Sequence, residues 1–181
     1  MCPSSFEEAY LYGGLSLNIA QKYQTIVILL TDKQFSELHS SHAPLPPPTP
    51  VNRGKLIESP APDYQRYAFT EDHISPYVRV GTEQGDFIAT SYEHDEYGAT
   101  SEDPELKAKM TIKRAHKLDG FFEKEGIRGY EMVNGGAKKI IVTISANRIV
   151  AEDFIADNPE YGVMIIKFLL PVDPMIRTEL E

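Results

Sequence analysis

Cysteine, tryptophan and cationic residues are the scarce components of this 181-residue chain. It holds one cysteine, Cys2, so no internal disulfide can form. Neither a cysteine-ligated iron–sulfur cluster nor a zinc knuckle can be assembled within it. A lone thiol suits a reducing compartment, and a cytoplasmic location is expected. Lys and Arg number 18 against 27 Asp and Glu, a formal charge of −9. That balance argues against a nucleic-acid surface, which needs clustered Lys and Arg to neutralise phosphates. No apolar run approaches the roughly 20 residues of a membrane span, so no membrane association is expected. The N-terminus lacks the basic-then-apolar pattern of a secretory signal. There is no Gly-rich phosphate loop, no Gly-x-Ser-x-Gly elbow and no internal repeat.

What is present is a moderately hydrophobic chain, 41% apolar, enough for one domain or two partial ones. Ser5 and Glu8 fit a capping box, which predicts a helix running to about Lys22. Gly13 and Gly14 inside it would let another backbone approach closely. The uninterrupted run Thr25 to Leu30 predicts a strand covered on both faces, as in a parallel sheet. Asp32 and Lys33 follow its end, where open α/β sheets place ligand-binding loops. From Ser40 the texture changes. Pro44 to Pro50 should be extended, and the stretch to about 102 is rich in Pro, Gly, Tyr and His, an irregular segment laid over a surface.

Asp103-Pro104 starts a second helix, with Asp at the cap and Pro in the first turn. Leu106, Met110 and Leu118 make its sparse apolar stripe. Lys107, Lys109, Lys113, Arg114 and Lys117 make a basic face, read as solvated or as facing an acidic partner. Gly126 to Gly136 reads as a turn-rich connection. A strand over Lys138–Ile144, a helix over Asn147–Asp157 and a strand over Val163–Leu170 predict a right-handed parallel βαβ unit. A short helix begins near Pro174. The fold class is therefore α/β, with too few strands to finish either of two sheets.

Two places could carry chemistry. The first is the loop of Asp32 and Lys33, where Asp32 either faces a ligand or caps the next helix through Ser36 or its backbone. The second is Glu93-His94-Asp95-Glu96, three carboxylates and an imidazole in sequence. They could bind a metal, or tune His94 as an acid–base group. Four consecutive residues rarely converge on one ion, however, so a polar turn before Gly98 is the favoured reading, with a substrate- or partner-facing role second. His39, His42, His73 and His116 show no metal spacing.

The chain resembles the α subunit of 2-oxoacid:ferredoxin oxidoreductases, the thiamine-diphosphate enzymes acting on pyruvate, 2-oxoglutarate and related acids. The resemblance lies in Ser5–Tyr10, Leu17–Thr25, Ile26–Lys33, Asn52–Lys55 and Tyr67–Pro76. It is most specific in Glu93–Gly98, Thr100–Pro104 and Met110–Leu118. Past about residue 135 it is looser. The family's Trp-Gly-Ser turn is replaced by Ser145-Ala146-Asn147, in a chain with no Trp.

The resemblance implies a layout. Residues 1–40 would end a thiamine-pyrimidine-binding domain, 41–125 would be a long connection with a helix from about 103, and 126–181 would start a transketolase C-terminal-like domain. Both domains would be incomplete, because the family's Tyr-Pro-Ile-Thr-Pro motif and pyrimidine-contacting Glu lie upstream of the matched residues. The chain is thus expected to be a split gene product, a truncated relic or one piece of an assembly, inactive alone. The resemblance implies thiamine diphosphate and Mg²⁺ held mainly by a partner β subunit, an iron–sulfur cluster outside this chain, ferredoxin reached indirectly and a hetero-oligomer converting a 2-oxoacid to acyl-CoA. It assigns no catalytic group to this chain. The alternatives are a non-catalytic relic that keeps only docking surfaces, or a free-standing small α/β binding domain.

Overall fold

A computed structural model describes residues 1–39, 41 and 43–181; Ser40 and His42, both noted above, lie outside the described residues. The elements run α1 (Phe6–Tyr23), α2 (Lys33–Glu37), α3 (Pro104–Ala115), α4 (Phe121–Glu125), β1 (Tyr130–Val133), β2 (Lys139–Ile144), α5 (Asn147–Asp157), β3 (Tyr161–Ile166) and α6 (Met175–Leu180). They fall into two compact units. The first comprises Met1–Leu17, Ile26–Val51 and Gly120–Glu181, and the second comprises Asn18–Thr25 and Asn52–Asp119.

The first unit is built on a three-stranded mixed sheet, order β1-β3-β2. β2 and β3 are parallel, with Ile141 opposite Val163 and Ile144 opposite Ile166, and α5 is the crossover that a parallel pair requires. β3 is central, and Gly162 to Ile165 are buried along it, as expected for an apolar strand paired on both edges. Val163 and Ile165 pack with Ala151 of α5, and Val133, Ile141 and Ile155 close around them. Phe121, Phe122 and Phe168 pack as rings 5.1–5.5 Å apart, two of the three pairs edge-to-face.

The capping box forms by half. The Glu8 amide donates to Ser5 Oγ at 3.2 Å. Its carboxylate, however, accepts from the Ser4 amide and hydroxyl at 2.8 and 2.9 Å and from buried Lys167 at 2.5 Å. Burial raises the Glu8 carboxyl, but the hydrogen bonds from Lys167 and Ser4 outweigh it and leave the group below its ordinary range. Lys167 also reaches Glu131 at 3.1 Å, and Arg148 holds Glu131 with both terminal nitrogens at 2.9 Å. The expected close backbone approach is not met at Gly13, which has nothing within 4 Å of an added Cβ; at Gly14 that Cβ would lie 3.0 Å from the Thr49 side chain and 3.8 Å from its backbone nitrogen.

The expected strand over Thr25–Leu30 does not form. The segment is extended, and among the described residues its ladder is limited to Met1, whose amino group donates to the Ile28 carbonyl at 2.8 Å and whose carbonyl accepts from the Leu30 amide at 2.9 Å. Ile26 is 87% exposed and Ile28 68%. A β-rich run becomes a sheet strand only where neighbouring backbone supplies partners. The supposed turn region holds β1, which pairs antiparallel with β3, and the third strand stops at Ile166 rather than Leu170.

In the second unit α3 starts as the sequence demands. Asp103 caps it by accepting from the Glu105 amide at 3.0 Å, with Pro104 in the first turn. It ends at Ala115, so Leu118 is not on its stripe. The segment before it is irregular, with isolated bridges between Leu56 and Tyr77 and between His94 and Thr100. Ile74, Val78 and Met110 are buried here.

Candidate functional site

Asp32 is a cap with a second task. One carboxylate oxygen accepts from the Phe35 amide at 2.7 Å, and Ser36 donates to the Asp32 carbonyl at 3.0 Å. The other oxygen accepts from the Ala146 amide at 3.1 Å, just past the end of β2. The Phe35 hydrogen bond is the main reason its carboxyl lies below the ordinary range. Lys33 begins α2 and reaches Glu37 at 3.9 Å, both side chains well exposed.

The side chains of Glu93, His94 and Asp95 in the acidic turn point to different partners. Arg114 grips Glu93 through two nitrogens at 2.9 and 2.7 Å. That grip is the main cause of the lowered Glu93 carboxyl. The His94 ring packs edge-on against Tyr67, centroids 4.2 Å apart, and its Nδ1 lies 3.0 Å from the Tyr92 carbonyl. Asp95 accepts from the Tyr97 and Ala99 amides, each at 2.9 Å. The Glu96 carbonyl accepts from the Tyr67 amide at 2.9 Å. Gly98 completes the turn at φ +90°, and its ideal Cβ would stand 2.0 Å from the Ile88 carbonyl oxygen. The turn thus ties α3 to Tyr67 and Ile88. Among the described residues no set of three or more His, Cys, Asp or Glu side chains gathers as a metal site.

Beside this turn lies a cavity of about 210 Å³ whose wall includes Arg66, His94, Lys113, Arg114 and Lys117. The basic face of α3 is therefore not uniformly solvated: Lys107 and Lys109 are exposed, whereas Lys113 is 5% exposed. Lys113 donates to the Ser75 hydroxyl at 2.6 Å and to the Tyr67 carbonyl. Burial, then the charges of Lys117 and Arg66, bring its ammonium down to about 8. Lys117 donates to the Gln24 carbonyl at 2.7 Å, and Arg66 donates to the Gln24 side-chain oxygen at 2.9 Å while lying 5.2 Å over the Tyr67 ring. Gln24 holds a left-handed backbone, φ +49°. Arg66 and Gln24 are not recognisable as site residues from the sequence. An isolated Arg and a helix-terminal Gln carry no signal until folding brings them together.

No protein-family model matches the chain. It is 34% identical over 141 residues to the α subunit of 2-oxoacid:ferredoxin oxidoreductase 2 of Aeropyrum pernix, covering 76% of this chain and 22% of that protein. It is 41% identical over 118 residues to the corresponding subunit of Saccharolobus solfataricus, 61% of this chain and 18% of that one. The chain thus spans about a fifth of the length of these relatives. Among solved structures, the 2-oxoglutarate:ferredoxin oxidoreductase of Magnetococcus marinus, with 2-oxoglutarate, coenzyme A and succinyl-CoA bound, superposes on 90% of this chain and 29% of its own. The TM-score is 0.71 at 29% identity.

Proposed function

We propose, for a chain homologous to part of the α subunit of 2-oxoacid:ferredoxin oxidoreductases, that it works as one component of such an enzyme. The observation that carries this is the coincidence of sequence identity with a superposition covering nine-tenths of the chain. The assembled enzyme would oxidatively decarboxylate a 2-oxoacid to acyl-CoA and pass electrons to ferredoxin. Thiamine diphosphate would supply that chemistry, with the β subunit as its principal holder and the cytoplasm as the setting. Residues 1–40 would then end the pyrimidine-binding domain, 41–125 connect, and 126–181 begin the transketolase C-terminal-like domain.

Among the described residues, Asp32, Glu93 and Asp95 do not gather into a site for the Mg²⁺ that accompanies thiamine diphosphate. Mg²⁺ needs converging oxygen ligands in near-octahedral array. Both Asp32 carboxylate oxygens are engaged by backbone amides, and Glu93 and Asp95 are turned to separate partners. Asp32 and Lys33 with the turn 93–96 would instead shape and brace surfaces against which substrate or partner lies.

Purified alone, the chain should give no 2-oxoacid-dependent dye reduction. Used as bait, it should retain a thiamine-diphosphate-binding chain from its own source. Dye reduction by the single polypeptide would overturn the proposal. The separate structural partners of the Glu93, His94 and Asp95 side chains favour a second reading, a non-catalytic protein that keeps only docking surfaces. A neighbouring reading frame encoding other parts of the relatives' α subunit would favour the enzyme, and none such the relic.

A further inference from the structure

The cavity beside α3 gathers positive charge in a chain that is acidic overall. Arg66, Lys113, Arg114 and Lys117, four of its 18 Lys and Arg, line one space. Of these four, among the described residues only Arg114 is neutralised at ion-pair distance, by Glu93. Among the described residues Arg66, Lys113 and Lys117 donate to neutral oxygens alone, and Glu96 is the carboxylate whose field reaches Lys113. Three cations close together, one of them buried, repel one another and lose hydration. The cost is offset when an anion joins them.

The donors needed to hold an anion are present and pre-positioned. An ammonium has three N–H donors and a guanidinium five. Lys113 spends two on Ser75 and Tyr67, Lys117 one on Gln24 and Arg66 one on Gln24. Arg66 is further fixed by its stacking on Tyr67, and Gln24 donates to the Ser75 carbonyl. The volume, about 210 Å³, is below the roughly 300–1,000 Å³ of pockets that enclose whole drug-sized ligands. It suits a compact group. Three cations without an ion-pair partner among the described residues ask for more than one negative charge concentrated on one centre, which a tetrahedral oxyanion offers and the separated ends of a dicarboxylate do not.

We propose that this cavity is a binding site for a phosphate-class oxyanion, either free inorganic phosphate or a phosphoryl group carried by a larger molecule, held by Arg66, Lys113 and Lys117. The site goes beyond the oxidoreductase role. Anion binding by the chain itself is read without turnover, so either conclusion can fail while the other stands.

Inorganic phosphate is titrated into the purified chain by calorimetry, with sodium chloride at matched ionic strength and 2-oxoglutarate as controls. Saturable phosphate binding, absent with chloride and competed by sulfate, is expected. Lys117→Gln and Arg66→Gln, each checked for native circular dichroism, should weaken it about tenfold, the loss of one charge-assisted hydrogen bond, and Lys117→Arg should restore most of it. Competition by coenzyme A would identify a phosphoryl group on a larger molecule; phosphate binding untouched by coenzyme A would identify the free ion. Four results overturn the proposal: no saturable binding, a response equal to that of chloride, tighter binding of 2-oxoglutarate than of phosphate, or affinity unchanged in every variant that retains the native spectrum.

Discussion

Lys113 carries its charge where charges are rarely kept. It lies one helical turn from Met110, so the two share a face of α3, and both are buried. A pattern that sorts residues by polarity assigns Lys to solvent. The groups that receive this one, Tyr67 and Ser75, come from 46 and 38 residues away in the chain. The inward turn was thus illegible in the sequence, whereas the Asp32 and Asp103 caps were legible because a cap and its amides are neighbours. The lysine also gives stability a pH dependence. Its ammonium is held at about 8, with burial first and Lys117 and Arg66 next among the causes and Glu96 opposing, against about 10.4 in an unfolded chain. Below pH 8 both states carry the proton and the cost of burying it is fully present. Between about 8 and 10 the unfolded state binds more protons, so stability rises with pH, by roughly 2–3 kcal/mol across the window. Cys2, whose thiol is raised by burial, acts in the opposite sense as its ordinary range is passed. Urea unfolding from pH 7 to 10 should therefore be compared between the native chain and Lys113→Gln. The native chain should gain more over pH 8–10. Parallel curves would remove Lys113 as the cause.

At the scale of elements, what could be read was whatever makes its own contacts. The β2, α5 and β3 segments announced themselves by two continuous apolar runs flanking a helix, and they close on each other in parallel register. β1 did not. Tyr130–Val133 is four residues with a Glu in the middle, and it becomes a strand only through its register against Val163–Ile166. Thr25–Leu30 shows the converse, strand composition without a ladder. The turn at 93–98 was legible as a polar loop before a glycine, but not what it braces. Its geometry hangs on Gly98, whose φ of +90° and contact with the Ile88 carbonyl leave no room for a methyl group. Gly98→Ala should cost about 2–3 kcal/mol, from backbone strain plus overpacking. It should also release the Tyr67 amide from the Glu96 carbonyl. Hydrogen exchange at Tyr67 and the urea midpoint report the two effects. A variant within about 0.5 kcal/mol of the native chain, the range of ordinary surface changes, would mean that the turn is not a brace.

For the whole molecule, the first unit leaves apolar residues in water that its own core does not use. Ile26 and Ile28 stand out from the extended segment, and on α5 Ile149, Val150 and Phe154 are exposed, Val150 by 70%. Singly such residues are ordinary, but grouped on one element they mark surfaces that other chains cover. Burying each is worth about 1.5–3 kcal/mol, so several together outweigh the entropy of a weak association. In the relatives, about four-fifths of the polypeptide lies outside the matched region. No helix among the described residues is long and apolar enough to cross a membrane. The chain on its own should therefore bind a hydrophobic dye and run, in size-exclusion chromatography with light scattering, as species larger than its 20.3 kDa. Ile28→Glu with Val150→Glu should shift it toward monomer and reduce dye binding. Both substitutions replace exposed side chains, so unfolding should move by no more than about 0.5 kcal/mol each. A monodisperse, dye-silent monomer would show that these residues are scattered surface atoms with no cohesive role. A double variant that stays aggregated would locate the cohesion elsewhere on the molecule.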